Sequence, residues 1–465
     1  MKQIRIHNDR PKFDNWAGFG GVYHGYMFQP DDAGRAYTPE QCEEELRRVG
    51  EMRLRIARTY FRYDYTWNGT AHDWQSVHIE AFAKWCAEMG KRGVDVAMQA
   101  CWWCPMDLNG DRKGESPFRI GTNDWDEMVR RYAVWVSDAV RELVVRRGLS
   151  NIRYLVLFTE PGYVSGKLPA GKEQWECWLD CARAVHRRLT ADGLRSLVKL
   201  VGPNEGSTAT SPMIKWVAER EDGCVDIYSS HNYIQNLRFD FDTYDDWALW
   251  MKNGMDNCAQ HHKPYWFDEY GLANWKAETE ICAQRIRWTD GLYATHMALC
   301  NCAALNSGVQ STTIWSLLDQ QWPDSHSDGR DSFVDGEHRC GIAPTLRQSH
   351  TPYAGYYGTC LLPRYLGGEG TLTYASEDDG HLRCAFVRTE TGAEALLVIN
   401  ATGEPVSFRA DFDRPHMTLH RRLADPAAIV PEPEAKRLPV DKSLDGDFTD
   451  VLPAWSFAVY SSERD

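Results

Sequence analysis

Eight short apolar segments, each followed by a longer stretch of helical character, constrain the fold of this chain more than any other feature. The segments are rich in apolar and β-branched residues and end in polar or aromatic clusters, as parallel strands joined by helices do. Eight such units predict an α/β fold, a (β/α)8 TIM barrel. The predicted strands are residues 18–28, 54–60, 94–100, 154–158, 198–202, 225–229, 264–267 and 312–315.

The sequence also indicates where helices begin and where a second domain follows. Thr38 can cap the first helix, and Pro39 is tolerated at its first position. The last barrel helix is expected at 352–366, and the glycine-rich segment 367–370 then precedes short strand-like runs. We predict a barrel domain over residues 1–366 and a β-sandwich over 367–465, with residues 1–13 able to pair with the second domain.

Charge and hydropathy exclude several classes of function. The chain of 465 residues has a formal net charge of -14, which disfavours a nucleic-acid partner. No apolar run approaches the length of a membrane span, and the first residues lack the apolar core of a secretory signal. We therefore expect a soluble, cytoplasmic protein without a membrane partner, whose 14 cysteines are reduced. The CxxC spacing at 101–104 lacks the further ligands that zinc requires.

Two glutamates follow predicted strands four and seven directly. Strand four leads into Thr159-Glu160-Pro161, and strand seven leads into Asp268-Glu269. Reacting groups of a barrel lie at the carboxyl ends of its strands, and these two strands face each other across the mouth. Carboxylates about 5 to 5.5 Å apart are suited to retaining glycoside hydrolysis, in which one attacks C1 and the other protonates the leaving oxygen. Helix capping or an exposed loop position is the structural alternative for either glutamate alone.

The tracts FTEPGY at 158–163 and YWFDEYG at 265–271 resemble glycoside hydrolase clan A, which includes families 5, 30 and 39. The resemblance implies that Glu160 is the general acid/base and Glu269 the nucleophile. It covers the barrel through short motifs and fixes no individual family. The clan commonly has Asn before the acid/base, whereas this chain has Thr159, which leaves recognition of the sugar 2-hydroxyl open.

The same resemblance implies two residues that act on the nucleophile. The tract containing His231 and Tyr233 is similar to the clan's His-x-Tyr sequence, in which the Tyr hydroxyl holds the nucleophile. Arg58, at the end of strand two, would pair with Glu269 and keep it ionised. Packing on the barrel rim is the alternative for Tyr233, and an ordinary salt bridge is the alternative for Arg58.

Aromatic residues at other strand ends are candidate sugar platforms. Trp315, after strand eight, resembles the clan's Trp beneath the first sugar, with core packing as the alternative. Trp102 and Trp103 follow strand three, and at most one of them is expected to face the pocket because adjacent strand residues point to opposite sides. After strand five, Asn204 is expected to contact substrate, while strand order argues against Glu205 as the acid and favours a binding or structural role for it.

Together these features predict a retaining glycoside hydrolase that needs no cofactor or metal. We expect it to cleave β-linked oligosaccharides or small glycosides at a non-reducing end. The alternatives are an endo-acting glycanase and a catalytically silent sugar-binding barrel. The acidic segment 324–338 lacks the EF-hand register and is predicted to be a solvated loop near the pocket. The sequence leaves the oligomeric state open.

Overall fold

The computed structural model describes most of the chain. The described residues are 1–23, 27–29, 37–68, 70–101, 124–157, 171–206, 213–234, 241–272, 290–321, 333–334, 337–338, 341–378 and 380–464. Within these ranges, no helix is both long enough and apolar enough to cross a membrane.

Eight parallel strands form a closed ring. Each strand pairs with the next along the chain, and the last returns to pair with residues 18–21 of the first. The eight predicted segments are all present as strands in the predicted order. The strands are β1 (Lys2–Val22), β2 (Ile56–Arg62), β3 (Asp95–Cys101), β4 (Ile152–Val156), β5 (Lys199–Glu205), β6 (Ile227–Ile234), β7 (Tyr265–Leu272) and β8 (Ser311–Ile314).

Helices lie between successive strands of the ring. The first begins where the sequence predicts, because Thr38 Oγ1 accepts a hydrogen bond from the backbone N–H of Gln41 at 3.3 Å. The predicted final helix, 352–366, is divided into two short helices at Cys360. The helices are α1 (Pro39–Met52), α2 (Val77–Lys91), α3 (Trp125–Val140), α4 (Gln174–Ala191), α5 (Met213–Arg220), α6 (Phe241–Cys258), α7 (Leu292–Ser307), α8 (Ala354–Thr359) and α9 (Leu361–Tyr365).

Apolar side chains fill the ring near the amino ends of its strands. Tyr154 and Trp266 meet there with ring centroids 4.5 Å apart. Apolar side chains thus occupy the amino end of the interior. The polar side chains described below lie nearer the carboxyl ends of the strands. The interior cluster consists of Ile56, Ala97, Tyr154, Val156, Val201, Ile227 and Trp266.

A second set of strands follows the ring and is mainly antiparallel. Six of them pair in the order β17-β16-β19-β14-β13-β12, and β15 pairs with β18. Their core contains Ile4 and Ile6 of β1 as well as their own apolar side chains. The strands are β12 (Gly368–Glu377), β13 (Leu382–Arg388), β14 (Glu394–Asn400), β15 (Val406–Phe412), β16 (Leu419–Ala424), β17 (Lys442–Leu444), β18 (Phe448–Leu452) and β19 (Phe457–Ser461).

The first strand is longer than the sequence predicts and belongs to both sets. The predicted strand 18–28 in fact ends at Val22 and begins at Lys2. Residues 2–6 pair in parallel with β15, residues 5–18 pair with β12, and residues 18–22 lie in the ring. The glycine-rich segment 367–370 is correspondingly part of the fold, since Gly368 pairs with Gly18. The sequence left the pairing of residues 1–13 with the second domain open, because both assignments depend on partners more than 300 residues away.

A small three-stranded sheet follows β8. It consists of β9 (Gln320–Gln321), β10 (Phe333–Val334) and β11 (Glu337–His338), with β11 between the other two. The described residues of the segment 324–338 are therefore paired as strands, where the sequence predicts a loop. Acidic residues occur both in solvated loops and in short strands, so composition alone could not separate the two.

Candidate active site

A bulge in β7 turns two consecutive carboxylates toward the interior of the ring. Phe267 and Tyr270 both pack outward among the helices, whereas Trp266 lies in the interior cluster. The register with β6 and with β8 shifts between Phe267 and Tyr270, so that Asp268 and Glu269 occupy the interval together. Strict alternation would send one of them outward. A bulge re-aims a side chain in this way and is common beside active sites.

Glu269 is buried and each of its carboxylate oxygens has a donor. Oε2 accepts from Arg58 Nη1 at 2.8 Å, and Oε1 accepts from the hydroxyl of Tyr233. His231 Nδ1 lies 3.5 Å from Oε2. The structure thus brings Arg58, His231 and Tyr233, which come from β2 and β6, to the end of β7. Charge-assisted hydrogen bonds of this kind favour an ionised, oriented carboxylate.

Arg58 is buried at the centre of this site. Burial acts to lower the pKa of its guanidinium, but the negative charges of Glu269 and Asp268 outweigh it and raise the pKa above its usual range. Its Nε and Nη2 donate to Gln99 Oε1 at 3.1 and 2.9 Å, which fixes the plane of the group. Arg58 is therefore a permanent cation whose orientation is set by β3 as well as by the carboxylates.

Asn204 and Glu205 have different surroundings although they are adjacent. Asn204 has φ 61°, in the left-handed region that Asn tolerates better than most residues, at a register shift between β5 and β6. Its Oδ1 accepts from Arg58 Nη2 at 3.3 Å, and its Nδ2 donates to Asp268. Glu205 Oε2 accepts from the backbone N–H of Ile214 at 3.2 Å, at the start of α5. Asn204 thus belongs to the buried network around Arg58, and Glu205 caps a helix.

Trp315 lies at the end of β8 and is partly exposed. Its ring meets that of Tyr60, from β2, edge to face at a centroid distance of 6.4 Å. The peptide bond between Trp315 and Ser316 is cis. These two aromatic side chains are partly exposed at the carboxyl ends of the strands. They offer an apolar surface of the kind on which sugars stack.

Four of the predicted site residues lie outside the described residues. They are Glu160 and Thr159, after β4, and Trp102 and Trp103, after β3. The separation of about 5 to 5.5 Å expected between the two glutamates, and the roles of these four residues, therefore stay predictions.

The sequence interpretation missed two residues of the site. Gln99 is a polar residue in the otherwise apolar stretch VAMQA, and a buried amide needs a hydrogen-bond partner, so its place inside a predicted strand was the available signal. Asp268 was visible in the tract but carried no predicted role, because alternation along a strand assigns it to the face opposite Glu269. Among the described residues, no group of three or more potential ligands could hold a metal ion.

Comparison with solved structures finds whole-chain similarity at low identity. A GH30 endoxylanase from Clostridium papyrosolvens matches with TM-score 0.65 and 12% identity, covering 99% of each chain. A GH39 β-xylosidase from Caulobacter crescentus matches with TM-score 0.63 and 12% identity, covering 99% of each chain. A glucosidase from Croceicoccus marinus matches with TM-score 0.65 and 14% identity, covering 99% of this chain and 98% of the other. Neither protein-family models nor curated protein sequences give a match. At these identities the likeness establishes a shared fold.

Proposed function

Since this chain has the fold of structures that include several glycoside hydrolases, we propose that it is a retaining glycoside hydrolase with Glu269 as nucleophile and Glu160 as general acid/base. The observation that carries the proposal is the setting of Glu269. It lies at the end of the seventh strand, buried, with Arg58 on one carboxylate oxygen and Tyr233 on the other. That arrangement suits an anion that must attack a carbon atom from one fixed direction.

In the first step, an oxygen of Glu269 attacks C1 of the sugar, and the bond from C1 to the leaving oxygen breaks. Glu160 donates its proton to that oxygen, and a covalent glycosyl-enzyme forms. In the second step, Glu160 removes a proton from water, whose oxygen attacks C1 and releases Glu269. Two displacements at one carbon retain the anomeric configuration.

The surroundings of Glu269 serve both steps. Its negative charge is lost to the ester in the first step and regained in the second. Arg58 is a fixed cation and Tyr233 a neutral donor, so both stabilise the charge as it returns. Gln99 orients Arg58 beforehand, which avoids reorganisation during the reaction.

For the substrate, we propose small β-glycosides or β-linked oligosaccharides, cleaved from an end. Trp315 and Tyr60 supply an apolar surface at the mouth of the ring. The sheet formed by β9, β10 and β11 follows the carboxyl end of β8 after five intervening residues. Additional chain at the carboxyl end of a ring strand favours a closed pocket over an open cleft.

The test is a panel of aryl α- and β-glycosides, with the first-formed anomer followed by proton NMR. We expect hydrolysis of a β-glycoside with retained configuration, and loss of nearly all activity in Glu269→Gln. Azide should restore turnover in Glu269→Gly and give an α-glycosyl azide from a β-glycoside. Glu205→Gln is the matched control, since Glu205 caps α5, and it should keep most of the activity. Inversion, or an active Glu269→Gln, would exclude the mechanism.

Product length separates end-wise cleavage from internal cleavage. A reducing-end-labelled oligosaccharide should lose one sugar at a time, whereas an endo-acting glycanase produces internal fragments from the start. Binding of sugars without hydrolysis of any panel member would identify a catalytically silent barrel instead.

A further inference from the structure

Asp268 is a buried carboxylate that the two displacement steps do not use. Its Oδ2 accepts from Asn204 Nδ2, and its backbone oxygen accepts from Arg58 Nη1 at 2.9 Å. Its Oδ1 is buried and has no hydrogen bond of standard geometry among the described residues. His231 Nε2 lies 3.4 Å from Oδ1. Because a buried carboxylate oxygen requires a donor, a proton on Nε2 would complete this contact.

Nε2 of His231 also lies 3.2 Å from Arg58 Nη1, which raises the question of whether it accepts a proton from the guanidinium. Nη1 has two hydrogens, and two closer acceptors are in place: Glu269 Oε2 at 2.8 Å and the Asp268 carbonyl at 2.9 Å. Both hydrogens have these closer acceptors, so the contact with Nε2 is the longest branch of a shared hydrogen bond. Nε2 can therefore carry its own proton and donate it to Asp268.

The charges in the cluster lead to the same assignment. Arg58 is a cation, and Asp268 and Glu269 are carboxylates, all buried. Among these described residues, a neutral His231 would leave one negative charge uncompensated, and an uncompensated buried charge is costly. An imidazolium brings the four groups to neutrality. Its Nδ1 lies on the side of Glu269 and its Nε2 on the side of Asp268.

We propose that His231 is an imidazolium in the resting protein, donating from Nε2 to Asp268 and from Nδ1 toward Glu269, and that Asp268 is the positioning residue that keeps it protonated. Asp268 takes no part in the two displacement steps. It acts through His231, and Asn204, which accepts from Arg58 and donates to Asp268, links it to the guanidinium. The consequence for catalysis rests on the proposed function: Glu269 would face two cations and the Tyr233 hydroxyl.

The protonation state can be read without any activity. Protein labelled with ¹⁵N in the histidine rings gives separate signals for imidazolium and neutral imidazole, and His231→Gln identifies the resonance. We expect both ring nitrogens of His231 to be protonated from about pH 5 to about pH 8, whereas an ordinary histidine loses its charge between these two pH values. In Asp268→Asn, the ring should become neutral within this range.

Asp95→Asn is the matched control. Asp95 is another aspartate of a ring strand, and its carboxylate pairs with Arg153, but it is the first residue of β3, at the opposite end of the ring. The His231 signals should be unchanged in this variant. A neutral His231 in the wild-type protein at about pH 7 would overturn the proposal even if Asp268→Asn fails to fold.

Kinetics test the positioning role. A dinitrophenyl glycoside is the suitable substrate, because its leaving group needs no proton from Glu160. For Asp268→Asn we expect kcat/KM near the wild-type value at about pH 5 and at least about tenfold lower at about pH 8, as His231 loses its proton. A purely structural effect would lower kcat/KM by the same factor at both pH values and would overturn the role. Absence of any glycosidase activity would instead refute the proposed function, while the NMR result still decides the state of His231.

Discussion

At the scale of single residues, the two oxygens of Glu269 are held by donors of different chemistry. Arg58 supplies a charged N–H to Oε2, and Tyr233 supplies a neutral O–H to Oε1. An arginine fork can hold several acceptors in one plane, whereas a lysine is a point charge with a single nitrogen. The geometry around Arg58, which reaches β3, β5 and β7 at once, requires the fork.

Arg58→Lys should lower kcat/KM by about 100-fold or more while keeping the positive charge, because one ammonium cannot reach Gln99, Asn204 and Glu269 together. The measurement is steady-state kinetics on the best aryl glycoside. Arg153→Lys is the control: Arg153 pairs with Asp95 near the amino ends of the strands and should change kcat/KM by less than roughly twofold. Equal activity of wild type and Arg58→Lys would show that charge alone suffices.

Tyr233→Phe removes one hydrogen bond to a carboxylate and leaves the ring in place. Hydrogen bonds to charged groups contribute about 1.5–3 kcal/mol, so kcat/KM should fall by about 10- to 100-fold. Tyr244→Phe provides the comparison, because the Tyr244 hydroxyl accepts from Asn306 away from the site. If both variants behave alike, the Tyr233 hydroxyl has no particular effect on Glu269.

At the scale of elements, irregular strands position the site more than regular ones do. The bulge in β7 brings Asp268 and Glu269 inward together, and the shift in β5 turns Asn204 toward Arg58. Neighbouring Gly202 is held close to α4: an added Cβ would lie 2.1 Å from a ring carbon of Trp178. Packing against α4, outside the ring, thus fixes the backbone of β5, while Asn204 near its carboxyl end contacts Arg58 inside the ring.

Helix α1 contains a buried acid that makes its packing depend on pH. Burial raises the pKa of Glu45 to about 8, opposed in part by the charge of Arg48. Neither carboxylate oxygen of Glu45 has a hydrogen-bond partner among the described residues. The folded chain keeps this proton after the unfolded chain has lost it, so stability falls as pH rises from the ordinary glutamate pKa to about 8.

Glu45→Gln should remove this loss of stability. We expect the melting temperature of the variant to exceed that of the wild type by roughly 2–4 °C at about pH 8, and the difference to shrink at about pH 5. Thermal unfolding followed by circular dichroism at the two pH values measures it. Glu43→Gln, an exposed substitution on the same helix, should show no such dependence. A constant difference between Glu45→Gln and wild type would refute a neutral buried Glu45.

At the scale of the whole molecule, β1 joins the ring to the second set of strands. One continuous strand carries Ile4 and Ile6 in the core of that second set and Gly18 to Val22 in the ring. His7, between them, contacts Asp413 at 2.6 Å and Glu377 at 2.9 Å. These hydrogen bonds, first to Asp413 and then to Glu377, raise the pKa of His7.

The raised pKa of His7 makes the stability of the contact between β1 and the second set of strands depend on pH. The stabilisation that protonated His7 contributes is fully present below the ordinary histidine pKa. It is lost as pH rises through the higher pKa that His7 has in the folded chain. His7→Gln should therefore lower the melting temperature by about 1 °C or more at about pH 6 and by less at about pH 9. His350→Gln, at an exposed residue, is the control. A deficit that grows with pH would contradict the assigned charge state.

The sequence alone determined the order of strands and helices and the presence of polar residues at the strand ends. The periodicity of apolar residues is a local property, and so is the capping of α1 by Thr38. For the same reason Glu269, Arg58, His231 and Tyr233 could be selected from their places after or within predicted strands, and the structure brings these four side chains together.

Only the tertiary structure decided the features that depend on register between distant strands. The common inward direction of Asp268 and Glu269, the contact of Gln99 with Arg58 and the extension of β1 from Val22 back to Lys2 each require a partner remote in sequence. A bulge changes which face a side chain occupies without changing the residues that form it. Local patterns therefore predict that strand β7 exists, while the pairing with β6 and β8 decides that both of its carboxylates enter the ring.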